Sequence, residues 1–159
     1  MKTIKGIILI MAVIVLLVGQ AWAAGSVTQT LDKYPNVNMR VLTFSWVGAA
    51  AGGAVTPVAT TAAITEDIAG WYVYAIETNP GAGPPSIAYD ITINDAEGLD
   101  IAGGTLADRS ATSTQKVTPC LDTAHSIYGG VLIDGALTLT ITNQIVNSAA
   151  GTVKLILAQ

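Results

Sequence analysis

The chain has 159 residues, of which 51% are hydrophobic and only 11% are charged. Its net charge is −4, and residues 24–159 alone carry five basic against eleven acidic side chains, a net charge of −6. A chain this acidic would be repelled by nucleic acid, so we expect no nucleic-acid partner.

Residues 1–23 have the order of a secretory signal peptide. Lys2 and Lys5 precede an apolar run at 6–18, and the sequence Ala-Trp-Ala at 21–23 ends the segment with small residues. We expect a signal-peptide helix that is cleaved after Ala23, so that the protein is secreted, periplasmic or at the cell surface with no stable membrane insertion. The alternative is an uncut anchor, but a 13-residue apolar run would span only about 20 Å of the roughly 30 Å hydrocarbon core.

Apolar side chains recur at every second position after residue 23, which is the period of a half-buried β-strand. The clearest runs cover 87–94 and 137–142, and further strands are expected at 40–47, 70–78, 126–133 and 152–158. Residues 24–38 are interpreted as a polar lead-in before a single domain at 39–159. The pattern predicts an all-β protein, an antiparallel β-sandwich of jelly-roll or Ig-like type.

The segments between these strands carry weaker signals. Asp134-Gly135 is typical of a tight hairpin, and the proline-rich stretch 79–85 is expected outside any sheet. Residues 48–65 have small side chains and predict a flexible connection or a weak edge strand, and residues 105–110 predict a single helical turn. No apolar stripe at helical spacing is visible after residue 23.

Few residues could carry catalysis. His125 has Asp122 and Ser126 nearby, but three members of a triad on one short loop could not easily face each other. We therefore interpret His125 as a solvated or hydrogen-bonded loop residue, and we expect no catalytic residue and no enzyme. Cys120 is the single cysteine, so it is either buried as a small apolar residue or linked to a second chain.

An acidic loop at 94–100, NDAEGLD, is a candidate calcium site, with Asp95, Glu97 and Asp100 as the ligands. Their spacing departs from that of an EF-hand loop. The alternative is a hairpin loop whose acids face water and whose Gly98 adopts positive φ. No other cofactor is expected.

Trp71, Tyr72 and Tyr74 fall on one predicted strand and are the candidate binding or assembly residues. Trp71 would share a face with Val73, and the two tyrosines would share the other face, with Tyr74 the more buried of the two. If that second face is exposed, the tyrosines form a platform for a sugar ring or a neighbouring subunit. If it is covered, they are core packing.

Residues 89–110, YDITINDAEGLDIAGGTLADRS, are followed by LTLTITN at 137–143 and by GTVKLIL at 151–157. This pattern, over about residues 71–159, resembles a group of small phage and prophage virion-associated proteins. The resemblance implies a compact β-sandwich that is a structural part of a particle, and an exported copy would build a surface layer or filament. Two functions are therefore expected: an assembly subunit that self-associates or joins a lattice, or a secreted module that binds a glycan or another ligand.

Overall fold

The computed structural model describes residues 24–159, so the predicted signal peptide lies outside the described residues. This part of the chain is dominated by antiparallel strands, which confirms the all-β prediction. The elements are β1 (Ser26–Tyr34), a 3-10 turn (Pro35–Val37), β2 (Met39–Val47), β3 (Val58–Ala59), α1 (Ala62–Ile68), β4 (Tyr72–Pro80), β5 (Asp90–Asn94), β6 (Gln115–Val117), β7 (Cys120–Asp122), β8 (Ile127–Tyr128), β9 (Val131–Leu132), β10 (Thr138–Thr142) and β11 (Ala150–Ala158).

The strands form two main sheets and one small hairpin. The larger sheet has the order β1-β2-β11-β4-β6, and β9 also pairs with β4. The smaller sheet has the order β3-β10-β5, and β7 pairs with β8. β11 lies at the centre of the larger sheet, where it pairs with β2 along its whole length and with β4 on its other side.

Alternate side chains of each strand point to the same side of its sheet, so each sheet has one apolar face. The apolar faces of the two main sheets contribute to one buried cluster. In β11 the alternation is regular from Ala150 to Ala158. The cluster includes, among others, Leu42, Phe44, Trp46, Val73, Ile76, Val153, Leu155 and Leu157 from the larger sheet and Ile91, Ile93, Leu139 and Ile141 from the smaller one.

β1 occupies the segment that we expected to be a polar lead-in. It pairs with β2 along all nine residues, from Ser26 to Tyr34. Val27 and Leu31 are partly buried and pack against the core. The sequence signal was weak because only these two apolar side chains mark the inner face of a nine-residue strand.

Residues 48–65 contain both an edge strand and the start of a helix. The weak edge strand is confirmed as β3, whereas the expectation of no helical stripe after residue 23 is wrong. Thr61 caps α1 by accepting a hydrogen bond from the Ile64 amide at 3.4 Å, and Ile64 and Ile68 share the inner side at i, i+4 spacing. With only seven residues, α1 carries too short a stripe to stand out in the sequence.

Other connections also differ from expectation. Asp134-Gly135 does not close a hairpin, because β9 before it pairs with β4 and β10 after it pairs with β3 and β5. The strand predicted at 126–133 is divided by Gly129 and Gly130 into β8 and β9. Pro80 ends β4 opposite Gly151, although we expected it outside any sheet. Residues 105–110 lack a helix and lie within a run of turns closed by bonds such as Ala107 N to Gly104 O at 3.3 Å.

Candidate functional site

The predicted division of β4 into two faces is confirmed. Trp71 and Val73 are buried, with 8% and 0% exposure, whereas Tyr72 and Tyr74 are 47% and 65% exposed. The expected order of the two tyrosines is wrong, since Tyr74 is the more exposed. β9 pairs with β4 at Tyr72 and β6 pairs from Ile76 onward, so no strand of residues 24–159 pairs with Tyr74 on that side.

Leu132 extends the exposed surface around the tyrosines. Leu132 is directly opposite Tyr72 in the β4–β9 pair, so the two side chains lie on the same face, and Leu132 is 48% exposed. Leu121, 53% exposed, lies beside the same loop: a Cβ added to Gly129 would be 3.1 Å from Leu121 Cδ1, and one added to Gly130 would be 3.4 Å from Tyr72 Cβ. We call Tyr72, Tyr74 and Leu132 the aromatic patch.

The aromatic patch combines exposed apolar area with the hydroxyl groups of two tyrosines. Tyrosine rings of this kind stack on sugar rings or pack in subunit interfaces, where their hydroxyls retain hydrogen bonds. The sequence pattern found the two tyrosines. It did not find Leu132, because the pairing of β9 with β4 joins residues some sixty positions apart.

Trp71 lies at one end of the core rather than in the aromatic patch. The guanidinium carbon of Arg40 is 4.3 Å from the centre of the Trp71 ring, a cation–π contact, and both residues line a cleft of about 380 Å³. Lys33, in the same cleft, donates a 2.7 Å hydrogen bond to Asp67. This hydrogen bond lowers the pKa of Asp67 below its ordinary value, and nearby Arg40 adds to the effect.

Asp95 and Asp100 of the acidic loop bind backbone amides. Asp95 Oδ1 accepts from the amides of Glu97 and Leu99 at 3.1 and 2.8 Å. Asp100 accepts from three further amides, including that of Gly104 at 2.9 Å. Gly98 has φ +86°, as a turn at that position requires. No group of three or more acidic, histidine or cysteine side chains within residues 24–159 is placed to hold a metal ion, so calcium binding stays a prediction.

His125 is the hydrogen-bonded loop residue that we expected. Its side chain is 74% exposed, and its Nδ1 lies 2.7 Å from Asp122 Oδ2. The same turn directs the amides of Ala124 and His125 at the other carboxylate oxygen of Asp122. The hydrogen bond with His125 lowers the pKa of Asp122. Cys120 is buried, as expected, with 8% exposure.

Gln144 is an organising residue that the sequence analysis missed. It is 5% exposed. Its Oε1 accepts hydrogen bonds from the amide and hydroxyl of Ser86 at 2.9 and 3.1 Å. Its Nε2 donates to the carbonyl oxygens of Gly53 and Val146 at 3.0 and 2.7 Å. A single glutamine in a turn gives no sequence signal, because its partners come from segments 58 and 91 residues away.

Comparison of the chain with protein-family models, curated proteins and solved structures finds no match. The helices within residues 24–159 include none that is long and apolar enough to cross a membrane. Any assignment of function therefore depends on the surfaces described above and on the sequence pattern.

Proposed function

We propose that the protein is an exported, non-enzymatic subunit that self-associates into a surface layer, filament or virion-like particle. The observation that carries this proposal is the aromatic patch, in which Tyr72, Tyr74 and Leu132 are each about half exposed or more on one face. Exposed apolar groups that are contiguous in this way mark interaction surfaces more often than scattered ones do. The resemblance to virion-associated proteins favours a structural partner over a substrate.

The proposed fold is an antiparallel β-sandwich. Its support is that the β2-β11-β4 sheet and the β10-β5 sheet share one buried cluster, as the two inner faces of a sandwich do. Jelly-roll and Ig-like arrangements remain the proposed types.

Export is tested on the full chain expressed in a Gram-negative host. Mass spectrometry of the periplasmic fraction should find Ala24 as the first residue, because the Ala-Trp-Ala sequence at 21–23 suits signal peptidase. An intact Met1 in the membrane fraction would contradict export and favour the anchor.

Self-association is tested by replacing both tyrosines, Tyr72→Ser with Tyr74→Ser, in the exported protein. Multi-angle light scattering should show weaker association, and thermal unfolding should change little because Tyr72 and Tyr74 are 47% and 65% exposed and their removal opens no core cavity. The control replaces two other exposed side chains, Ile87 at 89% and Ile145 at 74%, by serine. Equal association of the wild type, the patch variant and the control would contradict a role for the patch in assembly.

A secreted carbohydrate-binding module is the second candidate. It is favoured by one specific observation: Tyr72 and Tyr74 are exposed on one face at i, i+2 spacing, which suits stacking on successive sugar rings. A monomer that binds oligosaccharides in calorimetry, and loses binding in the double tyrosine variant, would replace the assembly proposal with this one.

A further inference from the structure

β1 is a nine-residue strand at one edge of the larger sheet. It pairs with β2 over nine residues, and no other strand in the described part of the chain pairs with it. Apart from that ladder, no backbone hydrogen bond in residues 24–159 involves residues 26–34. The outward N–H and C=O groups of such an edge are a template for another strand.

The other sheet edges in residues 24–159 are short or covered. β3 and β9 have two residues each and β6 has three. The outer side of β5 is covered by the chain at 101–109, through bonds that include Ile91 N to Leu106 O at 3.0 Å and Ile101 N to Ile93 O at 2.9 Å. Protection of this kind is the usual defence of a sheet against pairing with other chains. β1 lacks it.

The inner side chains of β1 hold the strand in place. Gln29 Nε2 donates to Ala59 O at 2.7 Å, and Gln29 Oε1 accepts from the Thr61 amide at 3.2 Å. Lys33 reaches Asp67 on α1 at 2.7 Å. The edge is therefore fixed in an extended conformation before any partner arrives, which reduces the entropy lost on binding.

We infer that β1 pairs antiparallel with β1 of a second copy of this chain, about a two-fold axis at Thr30. This inference rests on the proposed self-association, and it specifies the sheet edge and the partner strand through which two copies would pair. In this register all nine residues of the strand pair, because Ser26 and Tyr34 lie four positions on either side of Thr30. Asp32 then faces Thr28, so like charges are not opposed.

The composition of β1 favours a second copy of this chain as the partner. Residues 26–31, SVTQTL, carry no charge, and the single Asp32 and Lys33 are of opposite sign. A strand of this kind is complementary to itself under two-fold symmetry, as an isologous interface requires. β2 and β11 separate β1 from β4, which carries the tyrosines of the aromatic patch. If the patch is also an interface, two distinct contact surfaces on one subunit build an extended array rather than a closed dimer.

The test places a charge on the proposed axis. Thr30→Lys would set two ammonium groups opposite each other, so light scattering of the exported full chain should show association weakened by about tenfold or more. The matched control is Thr43→Lys, because Thr43 is the cross-strand partner of Thr30 on β2 but lies one strand in from the edge. A mixture of Thr30→Lys with Thr30→Glu should restore association.

Cysteine cross-linking tests the register independently of stability. Thr30→Cys should give a disulfide-linked dimer, because directly opposed residues have Cα atoms about 4.5–5.5 Å apart. Ser26→Cys should not, since the two copies of that position would be about 27 Å apart along the ladder.

The outcomes separate this inference from the proposed function. A wild type that stays monomeric at every concentration overturns both. If Thr30→Lys associates as strongly as the wild type, only the β1 pairing is overturned. The same holds if Thr43→Lys weakens association as much as Thr30→Lys does. Cross-linking through Ser26→Cys but not through Thr30→Cys overturns the register centred on Thr30.

Discussion

Gly151 should be intolerant of even one added methyl group. It lies on β11 opposite Trp46 of β2 and Pro80 of β4. In a Gly151→Ala variant the new Cβ would be 2.7 Å from Trp46 Cζ2 and 3.0 Å from the backbone oxygen of Asn79. Ordinary carbon–carbon contacts are about 3.5–4.0 Å, so the indole or the strand has to move.

The expected loss follows from two opposing effects. Overpacking of a core costs about 1–3 kcal/mol, and Trp46 has little room to yield because it is 1% exposed and its ring centre lies 5.8 Å from that of Tyr89. Alanine restricts the unfolded chain more than glycine does, and this effect offsets about 0.4–1 kcal/mol of that cost. We expect a net loss of about 1–2 kcal/mol in the free energy of unfolding, or a fall in Tm of roughly 3–10 °C for a domain of this size.

Thermal and urea unfolding of the variant measure this loss against a matched control, Gly135→Ala. A Cβ at Gly135 meets only the Cβ of Ala96, at an ordinary 3.4 Å, so the control should be neutral or slightly stabilised. Adding Trp46→Phe should reduce the cost of Gly151→Ala, because the smaller ring relieves the contact. An unchanged Tm for Gly151→Ala, or strict additivity with Trp46→Phe, would refute the packing argument.

Three further results are expected. Gln144→Leu should lower the free energy of unfolding by about 2–4 kcal/mol in urea titrations, because it leaves the carbonyl of Gly53 and the amide of Ser86 without a side-chain partner; a loss below about 1 kcal/mol would contradict this. Since Lys33 lowers the pKa of Asp67, that carboxylate stabilises the fold above pH 4 or so and loses its effect as the pH falls through the lowered pKa. The free energies of unfolding of the wild type and Asp67→Asn, measured against pH, should therefore converge at low pH. Parallel curves of unfolding free energy against pH would argue against the ion pair. Chelator with reductant should shift Tm by less than about 5 °C; a larger fall would indicate calcium in the acidic loop or a link through Cys120.

Local pattern was sufficient for the elements whose two faces differ strongly. Strands β2, β4, β5, β10 and β11 follow from the alternation of large apolar with polar side chains, because a strand turns successive residues to opposite faces. The same rule placed Trp71 and Val73 on one face and Tyr72 and Tyr74 on the other, and the structure buries the first face and exposes the second. The direction of a side chain is a local property, so one segment of sequence predicts it.

Only the tertiary structure decided which distant segments pair with each other. Nothing local distinguishes β1, a nine-residue strand, from a polar lead-in, because its strand character depends on the ladder with β2. Asp134-Gly135 has hairpin chemistry but connects strands of different sheets, since β9 finds its partner in β4. The greater exposure of Tyr74 than of Tyr72 likewise depends on where β9 and β6 end. The sequence by itself determined which faces of the main strands are apolar. The tertiary structure decided which strands pair and which sheet edge stays open, because the energy of strand pairing depends on residues far apart in the chain.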